Sequence, residues 1–370
     1  MTGELLKIRR GWPAGGGSHV SELASEPAST VRAPMSETSA RAAAAASADA
    51  GFHDGELEVQ RRAGVRQEAE RLAAMLEPVK LGGGIAAFLA DRTFAVITAR
   101  DAAGRLWTSP LSGPPGFLAP ADASTLVIRV SLPEGDPLHG LPAGQKAGLV
   151  IVEFAARRRV RINGTLTAAT GDALAIEVEQ GYGNCPQYIN QRVLAPVGPG
   201  QVGQDRAGTS QAGTGQAGAG EAGDGVRRAQ SLSPADVELV RAADTFFLGT
   251  TNPERGSDAS HRAGRPGFAR VDGDRIWWPD YPGNKLFNSF GNLAVNPEAA
   301  LLFPDFGTGR TLHLSGTAEV EWDAAARPGD DGRTGRRAVF TVQRLVAGRL
   351  LSSRQVGGCR PYPLSPPLTD

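Results

Sequence analysis

A nine-residue pattern, S-x-x-x-G-x-P-G-F, occurs twice in this chain, as SPLSGPPGF at 109–117 and as SHRAGRPGF at 260–268, an offset of 151. Two further pairs follow in the same order: GLVIVEF at 148–154 with ALLFPDF at 300–306, and RRVRINGT at 158–165 with RTLHLSGT at 310–317, both offset by 152. Three matches at nearly one spacing describe a duplicated domain. A chain built this way folds as two like units.

Composition locates the boundary between them. Residues 198–225 hold ten glycines in 28 positions and no Leu, Ile or Phe, which marks a flexible linker. The reading is a disordered Ala/Ser/Gly-rich arm over 1–60, a first domain over 61–194, a linker over 195–230, a second domain over 231–350 and a Pro-rich tail over 351–370.

In the first domain Val65, Ala69, Leu72, Ala73 and Leu76 recur at helical spacing, which predicts a helix ending near Pro78. Thereafter β-branched runs separated by Gly, Pro and Asp predict strands over 93–99, 125–130, 148–154, 158–169 and 173–179. The second domain repeats this with a helix starting at Ser233-Pro234 and strands over 245–251, 268–271, 275–278, 299–306, 311–322 and 338–342. Asp272-Gly273 signals a tight hairpin. The fold class is mainly β with helical additions, two tandem small antiparallel barrels.

Lys+Arg and Asp+Glu are equal at 39 each, which argues against a broad nucleic-acid face and leaves room for a local cationic pocket. Two cysteines, Cys185 and Cys359, are too few for a disulfide framework and lack zinc spacing. The longest apolar runs fall far short of the roughly 20 residues of a membrane helix, and Arg9-Arg10 is followed by GWPAGGG where an export signal has its apolar stretch. A cytoplasmic protein without membrane or nucleic-acid partners is expected.

Several motifs carry a bland reading. GTGQAG at 213–218 fits a dinucleotide fingerprint but lacks the flanking strand and helix. Asn163-Gly164-Thr165 fits a glycosylation acceptor, a coincidence in a cytoplasmic chain. The histidines His19, His53, His139, His261 and His313 show no metal spacing, so no metal is expected. Cys185 reads as a reactive thiol or as a small buried residue at a helix start. Arg157, Arg158, Arg159 and Arg161 form a basic run whose alternation points some outward and some toward a groove, where they can bind an anion. Trp277 and Trp278 face opposite sides of one strand, one toward the core.

The second domain alone carries WWPDYPGNKLFNSFGNLAVNP at 277–297, with Arg262, Arg270, Lys285 and Arg310 as cations, Gly267 and Gly283 for close approach, and Trp278 and Tyr281 as aromatic walls. A phosphate-bearing flat cofactor needs such groups. The segments WPDYPGNK (278–285), NPEAALLF (296–303), RTLHLSG (310–316) and SHRAGRPGFAR (260–270) resemble the FMN-binding split barrel of the pyridoxamine 5'-phosphate oxidase-like family over 235–322. Residues 88–192 resemble a diverged copy, as in a two-barrel branch of that family, to which GYGNCPQYI at 181–189 also points.

The resemblance implies an FMN-dependent oxidoreductase acting on a small molecule, with NAD(P)H a candidate reductant. It places Lys285 on the phosphate and Arg262 and Arg270 beside phosphate and ribityl chain. Trp278, Pro279 and Asp280 border the ring, Arg310 and Thr311 reach it across a barrel-barrel interface, and His261 and Asn284 complete the cofactor set. No catalytic acid or base is named. Asn284 stands where the family commonly has arginine, Thr311 replaces a glutamine, and no Trp/Arg substrate motif occurs over 357–370, which speaks against vitamin B6 oxidation. The alternative is a non-catalytic module holding flavin, a deazaflavin or haem. Because such barrels pair around their cofactor, an internal pseudo-dimer or a homodimer is expected.

Overall fold

The strand-forming runs sort into two sheets. The computed structural model describes residues 51–76, 79–197, 225–322 and 328–369. Three helices precede the first barrel: α1 (Asp54–Arg62), α2 (Arg66–Glu70) and α3 (Gly83–Ala90). The barrel follows as β1 (Phe94–Arg100), β2 (Leu106–Ser112), β3 (Leu118–Pro120), β4 (Thr125–Arg129), β5 (Gln145–Glu153), β6 (Arg158–Ala169) and β7 (Ala173–Asn184). β8 (Gln191–Pro196) and β9 (Arg227–Ala229) flank the linker, and α4 (Pro234–Ala242) opens the second barrel. That barrel contains β10 (Thr245–Asn252), β11 (Gly256–Ala263), β12 (Arg270–Asp272), β13 (Arg275–Pro279), α5 (Asn288–Val295), β14 (Glu298–Pro304), β15 (Thr311–Glu321) and β16 (Arg337–Gly348), and β17 (Ser353–Arg360) ends it.

The strand order is β2-β1-β5-β6-β7-β4-β3 in one sheet and β11-β10-β14-β15-β16-β13-β12 in the other. The second path is the first displaced by nine strands. β9 adds to β16, and β17 pairs with β8, so the segment read as a Pro-rich tail returns as a strand to the end of the first domain.

The repeated nonapeptide makes the same turn twice. Gly113 and Gly264 each lie against the phenylalanine that closes the motif, where a Cβ would approach Phe117 Cβ to 2.6 Å and Phe268 Cγ to 2.7 Å. Gly116 and Gly267 take φ of +88° and +91°, a region that disfavours any side chain.

The central strands are apolar on both faces because each face has its own partner. Ala95 and Ile97 of β1, and Leu149 and Ile151 of β5, enter the first barrel's core. Phe246 and Leu248 of β10, and Leu301 and Phe303 of β14, enter the second. The alternate residues, Phe94, Val96, Val150, Val152, Phe247 and Leu302, meet in a third core shared by both barrels. There the Phe94 ring lies 5.9 Å from Phe247 and 5.6 Å from Phe306. Contact is close enough that a Cβ on Gly148 would stand 2.6 Å from Asp258 Cα. The barrels therefore form one packed body.

Two expectations meet a different outcome. Of the arm expected over 1–60, residues 54–62 form α1; residues 1–50 lie outside the described residues. The periodicity of α1 is not apolar: its buried positions are Gly55, Glu56, Val59 and Gln60, so a hydrophobic pattern cannot reveal it. The helix expected through Leu76 is α2 plus a 3-10 turn at Ala73–Leu76, and Pro78 lies outside the described residues, as does 198–224 of the linker. The helix at Ser233-Pro234 does form, capped by a reciprocal Ser233–Asp236 box. Among the described residues no helix is long and apolar enough to cross a membrane, and no group of three or more His, Cys, Asp or Glu could hold a metal ion.

Candidate functional site

Where the barrels meet, each sets a buried basic side chain near the other's acid, a charged one in Arg161 and one that burial holds below its ordinary pKa in His313. Arg161 of β6 contacts Asp258 of β11 at 3.0 Å, with side chains 8% and 3% exposed. At the register position 152 residues on, His313 of β15 lies 3.9 Å from Asp136 of the first barrel. Two related grooves result. The Arg161 groove is the more polar: Arg161 Nη1 donates to Asn288 Oδ1 at 2.8 Å and to Tyr182 Oη at 3.2 Å, and Ser289 Oγ donates to Asp258 Oδ2 at 3.2 Å.

Alternation along β6 brings Arg159 to the face of Arg161, while Arg158, which precedes them, points outward, its side chain 48% exposed beside Glu153. Arg159 Nη1 donates to Nδ1 of His261 at 3.0 Å. Burial, then the charges of Arg159, Arg192 and Arg262, hold His261 well below its ordinary pKa, so the ring is neutral. Since arginine only donates, Nδ1 accepts and the ring proton resides on Nε2. That Nε2 is buried without a hydrogen-bond partner.

Arg262 follows on β11. Its Cζ lies 5.5 Å from the Phe290 ring centroid, and burial, then Arg161, lowers its pKa against the opposing pull of Asp280 and Asp258. Burial likewise takes Arg159 down to about 10, with Arg161 and Arg262 adding to it and Cys185 opposing. The Nε atoms of Arg161 and Arg262 join His261 Nε2 as buried donors without partners. Asp280 is 6% exposed and engaged by Arg336 at 2.8 Å; burial raises its pKa despite Arg336 and Arg262.

The groove thus holds four guanidiniums, Arg159, Arg161, Arg262 and Arg336, against Asp258 and Asp280, with Glu56 at its α1 end pushed by burial toward its neutral form. A surplus of positive charge in a buried place is costly unless an anion joins it. The three idle donors ask for the same ligand. An acceptor-rich dianion such as a phosphate monoester matches the charge and the donors of this set.

The remaining expected residues lie elsewhere. Asn284 ties the groove's rim together, donating to Asn184 Oδ1 at 2.9 Å. Lys285, at φ +64°, lies half-exposed with Nζ 3.4 Å from Glu68 of α2. Arg270 pairs with Asp331 at 3.0 Å and stacks 4.8 Å from Trp277. Trp278, 1% exposed, is in the second barrel's core, and Pro279 pairs with Arg337. Arg310 begins its hairpin arm next to β15, and Thr311 meets His313 Nε2 at 3.0 Å in the other groove. The structure therefore gathers His261, Arg262, Asp280 and Asn284, and sets Arg270, Trp278, Pro279, Lys285, Arg310 and Thr311 apart from the arginine cluster. Cys185 is half-buried in the loop after β7, with no helix starting there.

Helix α1 closes one end of this groove. It crosses α5 so closely that a Cβ on Gly55 would stand 2.1 Å from Gly291 O. Glu56, 2% exposed, accepts from Asn288 Nδ2 at 2.5 Å and from His53 N at 3.0 Å. Beneath it a cavity of about 20 Å³, lined by His53, Asn163, Asp258 and Asn292 among others, has room for water only. Asp258, Asn288, Tyr182 and Glu56 were not among the expected residues; of the groove's new members only Arg159 and Arg161 carried a sequence signal.

Residues 232–331 match the family model described as Pyridoxamine 5'-phosphate oxidase. Over these residues the second barrel is similar to the pyridoxamine 5'-phosphate oxidase family. Solved structures similar to it include a protein related to general stress protein 26, of the pyridoxinephosphate oxidase family, from Clostridium acetobutylicum, at 17% identity over 32% of this chain and 89% of that one, TM-score 0.23. HutZ, the haem storage protein of Vibrio cholerae, aligns at 15% identity over 32% and 95%, TM-score 0.25, and an F420 reductase at 16% over 30% and 94%, TM-score 0.23. No curated protein matches the chain.

Proposed function

We propose that the chain is an FMN-dependent oxidoreductase whose cofactor phosphate is held in the inter-barrel groove by Arg159, Arg161 and Arg262, with His261 donating from Nε2. The observation that carries this reading is the surplus of positive charge beside three buried donors without partners. Asp258 and Asp280 hold the arginines in place, and Asn284 and Asn288 fix the loop and helix that border them. The flavin, when bound, supplies hydride or electron transfer to a small-molecule substrate, with NAD(P)H as reductant. The shared apolar core supports the view that the tandem barrels replace the two subunits of a homodimer.

The test is FMN affinity by flavin fluorescence. Arg159→Ala and Arg262→Ala each remove a charged hydrogen-bonding group, worth about 1.5–3 kcal/mol, so each weakens FMN binding roughly 10- to 100-fold. Unchanged affinity in both variants, with unfolding midpoints intact, overturns the assignment.

A further inference from the structure

The strand correspondence predicts that the second groove is built like the first, but its chemistry is inverted. Its outer part is a cavity of about 460 Å³, within the range of small-molecule sites. At the position of Asp258 in the repeat stands Trp107, and at the position of Gln180, opposite Asn163 in one barrel as Arg344 is opposite Ser315 in the other, stands Arg344. An acid is replaced by an aromatic ring and a neutral amide by a cation.

Arg105, Arg228 and Arg344 surround this cavity, with Pro137 and Ala229 as half-buried apolar lining and Leu345 and Val346 buried behind them. The one lining carboxylate, Asp101, is committed to its own hairpin: it accepts from Ala103 N and Arg105 N at 2.9 Å and from Trp107 Nε1 at 2.8 Å. Arg228 donates to Gly135 O at 3.3 Å and Arg344 to Gln343 O at 2.8 Å, which leaves their charge uncompensated. Among the described residues no carboxylate pairs with any of the three. The segment 277–297 of the second barrel has no counterpart in the first, which has PEGDPLHGLPAGQKA over 133–147.

We infer that this groove is a second ligand site, separate from the flavin groove, for an aromatic organic anion whose charged group meets Arg228 and Arg344 while its ring lies against Pro137, Ala229 and the guanidinium of Arg105. Guanidiniums attract a ring face as well as an anion, and small apolar side chains cover its edge, so the class is favoured over a bare anion, which gains only the charge.

The full chain is titrated calorimetrically with phenyl phosphate and, separately, with inorganic phosphate, with and without saturating FMN. Phenyl phosphate binds one per chain, at least 10-fold tighter than inorganic phosphate and equally well with FMN present. The double variant Arg228→Gln/Arg344→Gln, at exposed or half-exposed positions, weakens phenyl phosphate at least 10-fold while FMN affinity and unfolding midpoint stay unchanged. The inference is overturned if phenyl phosphate does not saturate, if inorganic phosphate binds as well, if the double variant binds it normally, or if FMN displaces it. FMN uptake in wild type reports on the first groove independently, so failure of one site is distinguishable from failure of the other.

Discussion

Glu56→Gln separates the electrostatic cost of docking α1 from its hydrogen bonds. Burial, more than the neighbouring Asp258, pushes this carboxyl from an ordinary 4.5 up to about 7, against the pull of the His53 N–H and Arg161. The folded protein therefore holds the proton to higher pH than the unfolded chain. Its stabilising effect is complete below pH 4.5 and is lost as pH rises through 7. At about 1.4 kcal/mol per pKa unit, ionising Glu56 in the fold costs about 3 kcal/mol by pH 8. Glutamine carries no charge but has one acceptor oxygen where the carboxylate uses two, a loss of about 1 kcal/mol. The variant should be about 2 kcal/mol more stable than wild type at pH 8, with the curves crossing near pH 5. Urea unfolding at both pH values reads this, and taking the difference cancels other titrations. A variant whose stability relative to wild type is the same at pH 8 as at pH 5 refutes the reasoning.

Gly291→Ala would put a Cβ 2.5 Å from Glu56 Cγ and 2.7 Å from Glu56 N. Because backbone cannot move aside cheaply, it should cost about 1–3 kcal/mol and speed tryptic cleavage at Arg61 and Arg62; an unchanged digestion pattern contradicts the docking of α1. Lys285→Ala removes a half-exposed charge, and such contacts are worth about 0–1 kcal/mol, so FMN affinity should fall less than roughly fivefold. A loss equal to that of Arg262→Ala returns the phosphate to Lys285.

The repeat and the central strands are legible because they are local in sequence. The strands β2 and β11 were not predicted. LWTSPLS contains a proline and GSDASHRA is largely polar, yet both are buried, because the facing barrel covers them rather than their own pattern. Each is the edge strand of its sheet, where a missing N–H is tolerated. The Arg159–Arg161 alternation was visible as a possible anion face. Asp258, Asn288 and Glu56 were not, since three distant segments converge to make them neighbours. Trp278 and Arg270 show the converse: motif residues whose side chains the fold uses for core packing and for an ion pair with Asp331.

The central claim is that one chain holds one flavin between its own barrels. The direct measurement is native mass spectrometry with the absorption spectrum of protein purified without added cofactor, followed by FMN titration. The account predicts a monomer that carries or takes up one FMN with a flavin spectrum. A protein that binds no FMN, that binds it only as an intermolecular dimer, or that carries haem or deazaflavin absorbance instead contradicts it.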